Sequence, residues 1–382
     1  MSDNQTHSGT DAFDDVSEAY ATAFNRDPDP LEQYSDQFKN LPDPFEFFIQ
    51  KSLKNRDSIG DPDTYEHYHR TYREWKDYIR TTTDDRHPAC PSTAHVKRYI
   101  EWRRDVHQNS RRTILGKLSR LAQAYEYWQS KQIMPHPKGW NPFEIAREEV
   151  SLGEDETRNY PDLPLSTLQS EFAKINNIRS RAIIGTQLKE GLRAGEVGNL
   201  RLSEVHISHH ELQGQYPELG THHALSGHSD VVYVPHDRDG NKSTNPRLLP
   251  IDDELRWLLI RHLLTRPQVD EPWVFLSRRS FGKIGPKPVN RVWKEEFHPK
   301  YAETAEHDAI TSHFGRHWFS TYWRLEAGLE REHVQYMRGD LIQPYEKYPD
   351  PIDDYLHPNY RQIESVYREN VFKLNIALSH SP

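Results

Sequence analysis

Four stretches of this chain hold side chains that can grip or attack an oxyanion. The first is Gly191-Leu192-Arg193-Ala194-Gly195-Glu196-Val197-Gly198-Asn199-Leu200. An arginine follows a helix-breaking glycine, and a glutamate stands three residues further on. A nearby carboxylate can fix a guanidinium and aim it at an oxyanion or phosphate. Alone, such a pair reads equally as a surface ion pair. The second stretch is His313-Phe314-Gly315-Arg316-His317. His313 and Arg316 share one face of a helix at that spacing, where they can hold the oxygens of one phosphate. The third is Lys242, at the tip of an expected hairpin, where a loop lysine suits a proton donor to a leaving oxygen. The fourth is a run of phenols, Tyr345, Tyr348, Tyr355, Tyr360 and Tyr367, one of which can attack a phosphate and hold it covalently. Most tyrosines in such a run pack rather than react.

The elements that must position these residues read as two domains. In the N-terminal part, Tyr65, Tyr68, Tyr72, Trp75, Tyr78 and Ile79 recur at helical spacing between 63 and 81. A second helix is expected over 95–105 and a third over 110–132. On the latter, Ile114, Leu115, Leu118, Leu121, Ala122, Tyr125 and Trp128 form an apolar face. Arg111, Arg112, Lys117 and Arg120 are read as its other face, either solvated or set against an anionic partner. The stretch from 133 to 164 is broken by prolines and reads as a linker, at its narrowest 151–164. Beyond it, a helix is capped by Ser166 or Thr167. Val231–Pro235 and Arg247–Ile251 are strands of a hairpin with a long polar tip. Helices follow from Asp252 or Asp253 and over 289–297, 313–326, 331–337 and 360–374.

The bulk composition looks unhelpful to an anion-binding protein, since the net charge is -9 and the mean hydropathy -0.94. The distribution matters more. Residues 1–40 carry nine acids against two bases, a net of -7, and read as a mobile acidic tail. Residues 91–130 hold eight bases against three acids. No stretch reaches the length of apolar sequence that spans a membrane. A single cysteine, Cys90, excludes an intrachain disulfide, so the expected location is cytoplasmic. Histidines cluster at His206, His209, His210, His222, His223 and His228. A metal site is the sharper reading of them, but no zinc spacing is visible and a solvated loop is preferred.

Taken in order, the four stretches resemble the tyrosine recombinase (phage integrase) family, in the manner of its divergent archaeal-type members. GLRAGEVGNL resembles that family's first arginine box, and SHFGRHWFSTYWRLEAG the second, with His313 and Arg316 as its His-x-x-Arg pair. Lys242 lies eight residues before Pro250, as the family's hairpin lysine does before its strand-closing proline. Arg247 falls where relatives place a basic residue. Asp354-Tyr355-Leu356-His357 resembles the Tyr-x-His nucleophile signature. The sequence departs from the family where Met337-Arg338-Gly339-Asp340 replaces Leu-Gly-His, or Trp for that His. Asp340 then orients a neighbour, is protonated on phosphate binding, or signals reduced activity. Tyr355 follows Asp340 by fifteen residues and Tyr348 by eight, so Tyr348 fits the family spacing better and Tyr355 the signature.

The resemblance implies a mainly α fold with a small β-sheet. A helical core-binding domain at 41–150 would bind DNA through Arg111, Arg112, Lys117 and Arg120. A mixed α/β catalytic domain would occupy 165–382. It implies cleavage and rejoining of DNA through a 3′-phosphotyrosine, as in integration, excision or resolution. Arg193, Lys242, His313, Arg316, Tyr355, Asp340 and Glu196 would form the site, with no metal, ATP or other cofactor. The expected partners are double-stranded DNA at a specific site and three further copies of the chain. The main alternative is a catalytically impaired DNA-binding protein of the same fold. A type IB topoisomerase and a metal-dependent phosphodiesterase built on the histidine cluster are more distant ones.

Overall fold

The computed structural model describes residues 19–20, 23–25, 27–54, 62–83, 85–153, 158–340 and 352–376; the side chains at 62–63 and 352–358 lie outside it. Tyr345 and Tyr348 therefore fall outside the described residues, and Tyr355 is described by its backbone alone. The chain divides into two compact units, 1–157 and 158–382.

Unit 1 is helical. Its described helices are α1 (Ser35–Phe38), α2 (Pro44–Phe48), α3 (Pro62–Thr82), α4 (Thr93–Asp105), α5 (Arg111–Gln129) and α6 (Pro142–Glu149). Caps set the starts: the Ser92 side chain accepts from the His95 N–H, and Ser110 does the same for Thr113. The core is aromatic. The Trp75 ring meets Tyr99 at 5.0 Å and Phe143 at 5.2 Å, both edge to face.

Three expectations are corrected here. The acidic tail is shorter than 40 residues, because Leu31 and Phe38 are buried in this core and Ser35 accepts a hydrogen bond from the His87 N–H. The proline-broken stretch after 132 is not all linker, because α6 buries Phe143 and Ala146 against the same core. Lys117 is not on an open face. It is buried beside Arg103, and both cations hydrogen-bond the Glu74 carboxylate. Burial pulls the Lys117 pKa down, partly offset by that carboxylate. Arg111 and Arg112 are exposed, and Arg120 lies over the Tyr68 ring, 5.8 Å from its centroid.

Unit 2 surrounds α8 (Ile178–Glu190), which follows α7 (Leu165–Ala173) and precedes the short α9 (Ala194–Asn199). The single helix expected here is two, since Asn177 caps a fresh start by accepting from the Ser180 N–H. A small antiparallel sheet follows, in the order β1 (Val205–His206), β2 (Val231–Val234), β3 (Arg247–Pro250), with α10 (His210–Gln215) between its first two strands. In the hairpin Val232 pairs with Leu249 and Val234 with Arg247. Both faces are covered, so the strands read as unbroken apolar runs. Val232, Val234 and Leu249 join the main core, while Val231, Tyr233 and Leu248 pack with Tyr360 on the other side. Residues 158–164, expected as linker, belong to this unit: Leu163 is buried and its carbonyl accepts from the Trp318 indole at 3.0 Å.

The remaining described helices are α11 (Asp253–Leu264), α12 (Pro286–Phe297), α13 (Ser312–Thr321), continued by a wider turn to Glu326, α14 (Arg331–Arg338) and α15 (Ile352–Asn370). The last helix ends four residues before the expected 374. The chain after it leaves the helix because buried polar groups claim its backbone. Lys189 donates to the Phe372 carbonyl, and Glu254 accepts from the Leu374 and Ile376 N–H groups at 2.7 and 3.0 Å. Val371, Phe372 and Leu374 are buried in the main core of this unit.

Glu74→Leu should destabilise unit 1, because it leaves two buried cations without their shared acid. The expected loss is about 3 kcal/mol, the low end for a broken buried pair because Glu74 is itself part-exposed. Urea unfolding followed by tryptophan fluorescence reads it, and an unchanged midpoint would mean that the triad contributes nothing.

Candidate active site

Helix α8 stops at Gly191, whose φ of +63° is the left-handed conformation glycine adopts without penalty. A Cβ there would lie 2.6 Å from the Phe319 ring, so the residue must also be small. The stop turns the chain and leaves Arg193 as the N-cap of α9. Glu196 stands in the first turn of α9, and its carboxylate accepts the Arg193 backbone N–H at 2.8 Å.

The Glu196 side chain is wholly buried. It also accepts from the Arg247 Nη2 at 2.8 Å, from the Ser243 hydroxyl, and more distantly from the Arg193 Nη1 at 3.5 Å. Burial alone would raise its pKa. The Arg247 and Arg316 charges, with the hydrogen bonds from Arg247 and Ser243, outweigh burial and hold it at about 2. Arg247 reaches this carboxylate because a strand has a period of two. It lies on the same face as Leu249, at the end of the core face. The Ser243 oxygen takes one hydrogen bond each from the Arg193 and Arg247 Nη1 atoms, both at 3.0 Å.

Arg316 arrives from the middle of α13, with its side chain 3% exposed. Its Nη1 donates to the Gly191 carbonyl at 2.8 Å and its Nη2 to the Arg338 carbonyl at 3.0 Å. The same Nη2 donates to Asp340 Oδ1 at 2.7 Å, and the Arg193 Nη2 donates to that oxygen at 3.0 Å. Two guanidinium groups 123 residues apart in the sequence therefore converge on one oxygen atom. Burial, then repulsion from Arg193, lowers the Arg316 pKa to about 9, which leaves it a cation at neutral pH.

The loop carrying Lys242 is tied to α9. Asn199 donates to the Asp239 carbonyl at 2.9 Å and to the Asn241 side chain at 2.7 Å, and Arg238 pairs with the buried Glu204. Lys242 itself is exposed, one residue from the buried Ser243. His313 is exposed on the first turn of α13, and its ring lies 6.4 Å from that of Tyr160. Partial loss of solvation, then the Arg316 charge, lowers its pKa and favours the neutral imidazole. Beside it opens a cavity of about 370 Å³ lined by His313, Arg316, His317, Ser320, Arg324 and Arg338, among others.

The structure thus brings together Arg193, Glu196, Arg316 and Asp340, with Lys242 and His313 at the rim. Sequence reasoning missed Ser243 and Arg338, and it named Arg247 without a role. Arg338 had a visible signal, since it directly precedes Gly339-Asp340. Ser243 had none beyond its place next to Lys242. Among the described residues the histidine cluster holds no group of three placed to bind a metal; His222 instead stacks on Tyr233 at 4.4 Å.

No family profile matches the chain. Over 104 residues it is 29% identical to tyrosine recombinase XerD of Caulobacter vibrioides, a match covering 26% of this chain and 33% of that one. The chain thus spans about a third of the length of the curated relative it matches. Among solved structures it is similar to the Tn1549 transposon integrase in complex with transposon right end DNA. The TM-score is 0.57 at 18% identity, over 78% of this chain and 90% of that one. It is also similar to lambda integrase, solved as a tetramer bound to a Holliday junction. There the TM-score is 0.57 at 11% identity, over 91% and 92% of the two chains. The fold is that of the tyrosine recombinases: mainly helical, with a small three-stranded antiparallel sheet.

Glu196 carries a testable consequence. Its pKa is depressed by folding, so its contribution is present above the ordinary glutamate value and lost as pH falls toward 2. Glu196→Gln should cost on the order of 3 kcal/mol at pH 7, and the gap from wild type should narrow between pH 4.5 and 3. Urea titrations at the three pH values measure this. A gap that does not depend on pH would mean that the carboxylate charge is not what holds the site.

Proposed function

We propose that this chain is a site-specific DNA recombinase that cleaves and rejoins DNA through a 3′-phosphotyrosine, with Tyr355 as nucleophile. The observation that carries the reading is the convergence of the Arg193 and Arg316 guanidinium groups on a single oxygen, above the buried Glu196. A phosphodiester resists attack because the nucleophile and the phosphate both carry or approach negative charge. Two fixed guanidinium groups on the non-bridging oxygens offset that charge and stabilise the transition state. Tyr355 Oη attacks the phosphorus in line, forming the O–P bond to the 3′ side as the bond to the 5′-oxygen breaks. Lys242 gives that oxygen its proton, and the neutral His313 hydrogen-bonds the phosphate or moves a proton. The covalent link keeps the bond energy, so the freed 5′-hydroxyl can reverse the step on a new partner without ATP.

In this reading Arg111, Arg112 and Arg120 of unit 1 meet the DNA backbone. Lys117, buried on Glu74, does not. Recombination at two sites calls for four copies of the chain on two duplexes, working in the cytoplasm where the DNA is. One observation favours a second reading, a DNA-binding protein that has lost cleavage: a carboxylate stands between the two arginines, where the family has a histidine or tryptophan.

A suicide duplex carrying the chain's recombination site, incubated with chelator, separates the two readings. Wild type should form a covalent adduct resolved by denaturing electrophoresis. Tyr355→Phe should abolish it, while Tyr348→Phe should not. Arg193→Ala and Arg316→Ala should each slow it by roughly 10²–10³-fold. An adduct lost only in Tyr348→Phe would move the nucleophile. No adduct on a site that is bound would favour the non-cleaving protein.

A further inference from the structure

Two acids touch the arginine pair, and they do so from opposite sides. Glu196 lies beneath, with no exposure, and is bound to backbone, serine and Arg247. Asp340 lies on the open side, 23% exposed, beside the 29% exposed Arg193. Its Oδ1 takes the Arg193 and Arg316 Nη2 atoms at 3.0 and 2.7 Å. Its Oδ2 lies 2.8 Å from the Arg338 Nε. A carboxylate oxygen and a phosphate oxygen ask the same of a guanidinium, namely a short charge-assisted hydrogen bond. The two cannot use these N–H groups together, and their like charges repel.

We infer that Asp340 is an intramolecular occupant of the phosphate site, a carboxylate gate that the incoming phosphate must displace. The inference rests on the recombinase reading of the arginine pair. The hinge is the side chain, because the backbone leading into it is held. Gly339 ends α14 at a φ of +66°, its carbonyl accepts the Thr244 N–H at 2.9 Å, and the Asp340 N–H donates to the Gln335 carbonyl at 2.9 Å. A Cβ on residue 339 would come within 2.5 Å of Arg247 Nη1, which fixes the turn against the arginine cluster. Rotation about the Asp340 side-chain bonds frees the Nη2 atoms of Arg193 and Arg316. Arg338, 34% exposed, stays within reach as the partner that receives the displaced carboxylate.

The gate sets which anions enter. A small anion brings only its own contacts against the internal carboxylate. A phosphate within a bound duplex arrives with the rest of the DNA contacts behind it. Apparent affinity falls by the fraction of time the site is open, so a gate closed nine-tenths of the time weakens phosphate binding on the order of tenfold.

The test uses the full chain and inorganic phosphate, followed by ³¹P line broadening. Asp340→Asn and Asp340→Ala should each bind phosphate on the order of tenfold more tightly than wild type. Glu332→Gln, the same change of charge at an exposed position on α14, should match wild type. Adding Arg316→Ala to Asp340→Asn should remove the gain, which places it at this site. Asp340→Ala keeps the outcome readable if the asparagine side chain itself occupies the pocket. If neither Asp340 variant binds phosphate more tightly than Glu332→Gln does, Asp340 is a clamp that holds the arginines together and the gate is wrong. That result would leave the recombinase reading standing, because the latter is judged by the wild-type covalent adduct. Conversely, a tenfold gain with no adduct would keep the gate and remove the recombinase.

Discussion

The buried carboxylate of Glu196 is the constraint on which unit 2 is organised. Taking a carboxylate and a guanidinium out of water costs several kcal/mol each, and their attraction repays this only when every lone pair is used. Here they are used. One oxygen takes Ser243 and Arg193 Nη1, the other takes Arg247 and the Arg193 backbone N–H. The groups come from α9, from the hairpin loop and from β3. No one of these elements can shift without leaving a buried charge unpaired. The pair thus specifies position more than it adds stability, and the position it specifies is that of Arg193.

The same logic recurs in the last turn of α8, four residues before Arg193. Lys189 is fully buried and is met by Asp252 at 2.8 Å and Glu254 at 2.9 Å, both at the start of α11. Those acids have lone pairs to spare, and the chain after α15 supplies donors for them. A buried cation on α8 therefore ends in an ordered C-terminal segment lying across the same unit. Two ionic knots thus lie where α8 ends, one just past it fixing the arginine site and the other in its last turn fixing the segment that follows α15.

Much of this was legible because helices and their neighbours write themselves locally. The three- and four-residue periodicity located α3 to α5, and the spacing of Arg193 to Glu196 and of His313 to Arg316 named much of the site. What escaped was long-range or ambiguous in period. Ser243 and Arg247 meet Glu196 across 47 and 51 residues, and no local pattern records such a contact. Lys117 was placed on the polar face although it lies three residues after Ile114 and four before Leu121, on the apolar stripe itself. A charged residue there signals a buried partner, and Glu74 on another helix is that partner. In the N-terminal stretch the acids hid Leu31 and Phe38, which stand seven apart and face one core. The C-terminal helix was drawn too long because its last turn is claimed by side chains from α8 and α11.

The chain's net charge of -9 contrasts with the local balance at the arginine cluster. At about 0.1 M salt, exposed charges further than roughly 10 Å are largely screened, so the near neighbours decide. What the site feels is its own cluster. Arg193, Arg247, Arg316 and Arg338 face Glu196 and Asp340, and four cations against two anions leave an excess positive charge. Arg193 and Arg316 repel each other, as the lowered Arg316 pKa reflects. Asp340 sets a negative charge against both. A histidine or tryptophan supplies a hydrogen bond but no such charge. A carboxylate at 340 supplies the charge and takes a hydrogen bond from each guanidinium on one oxygen. On the recombinase reading that carboxylate stands where a phosphate would, and Arg338, 2.8 Å from its other oxygen, is the partner it would keep on leaving.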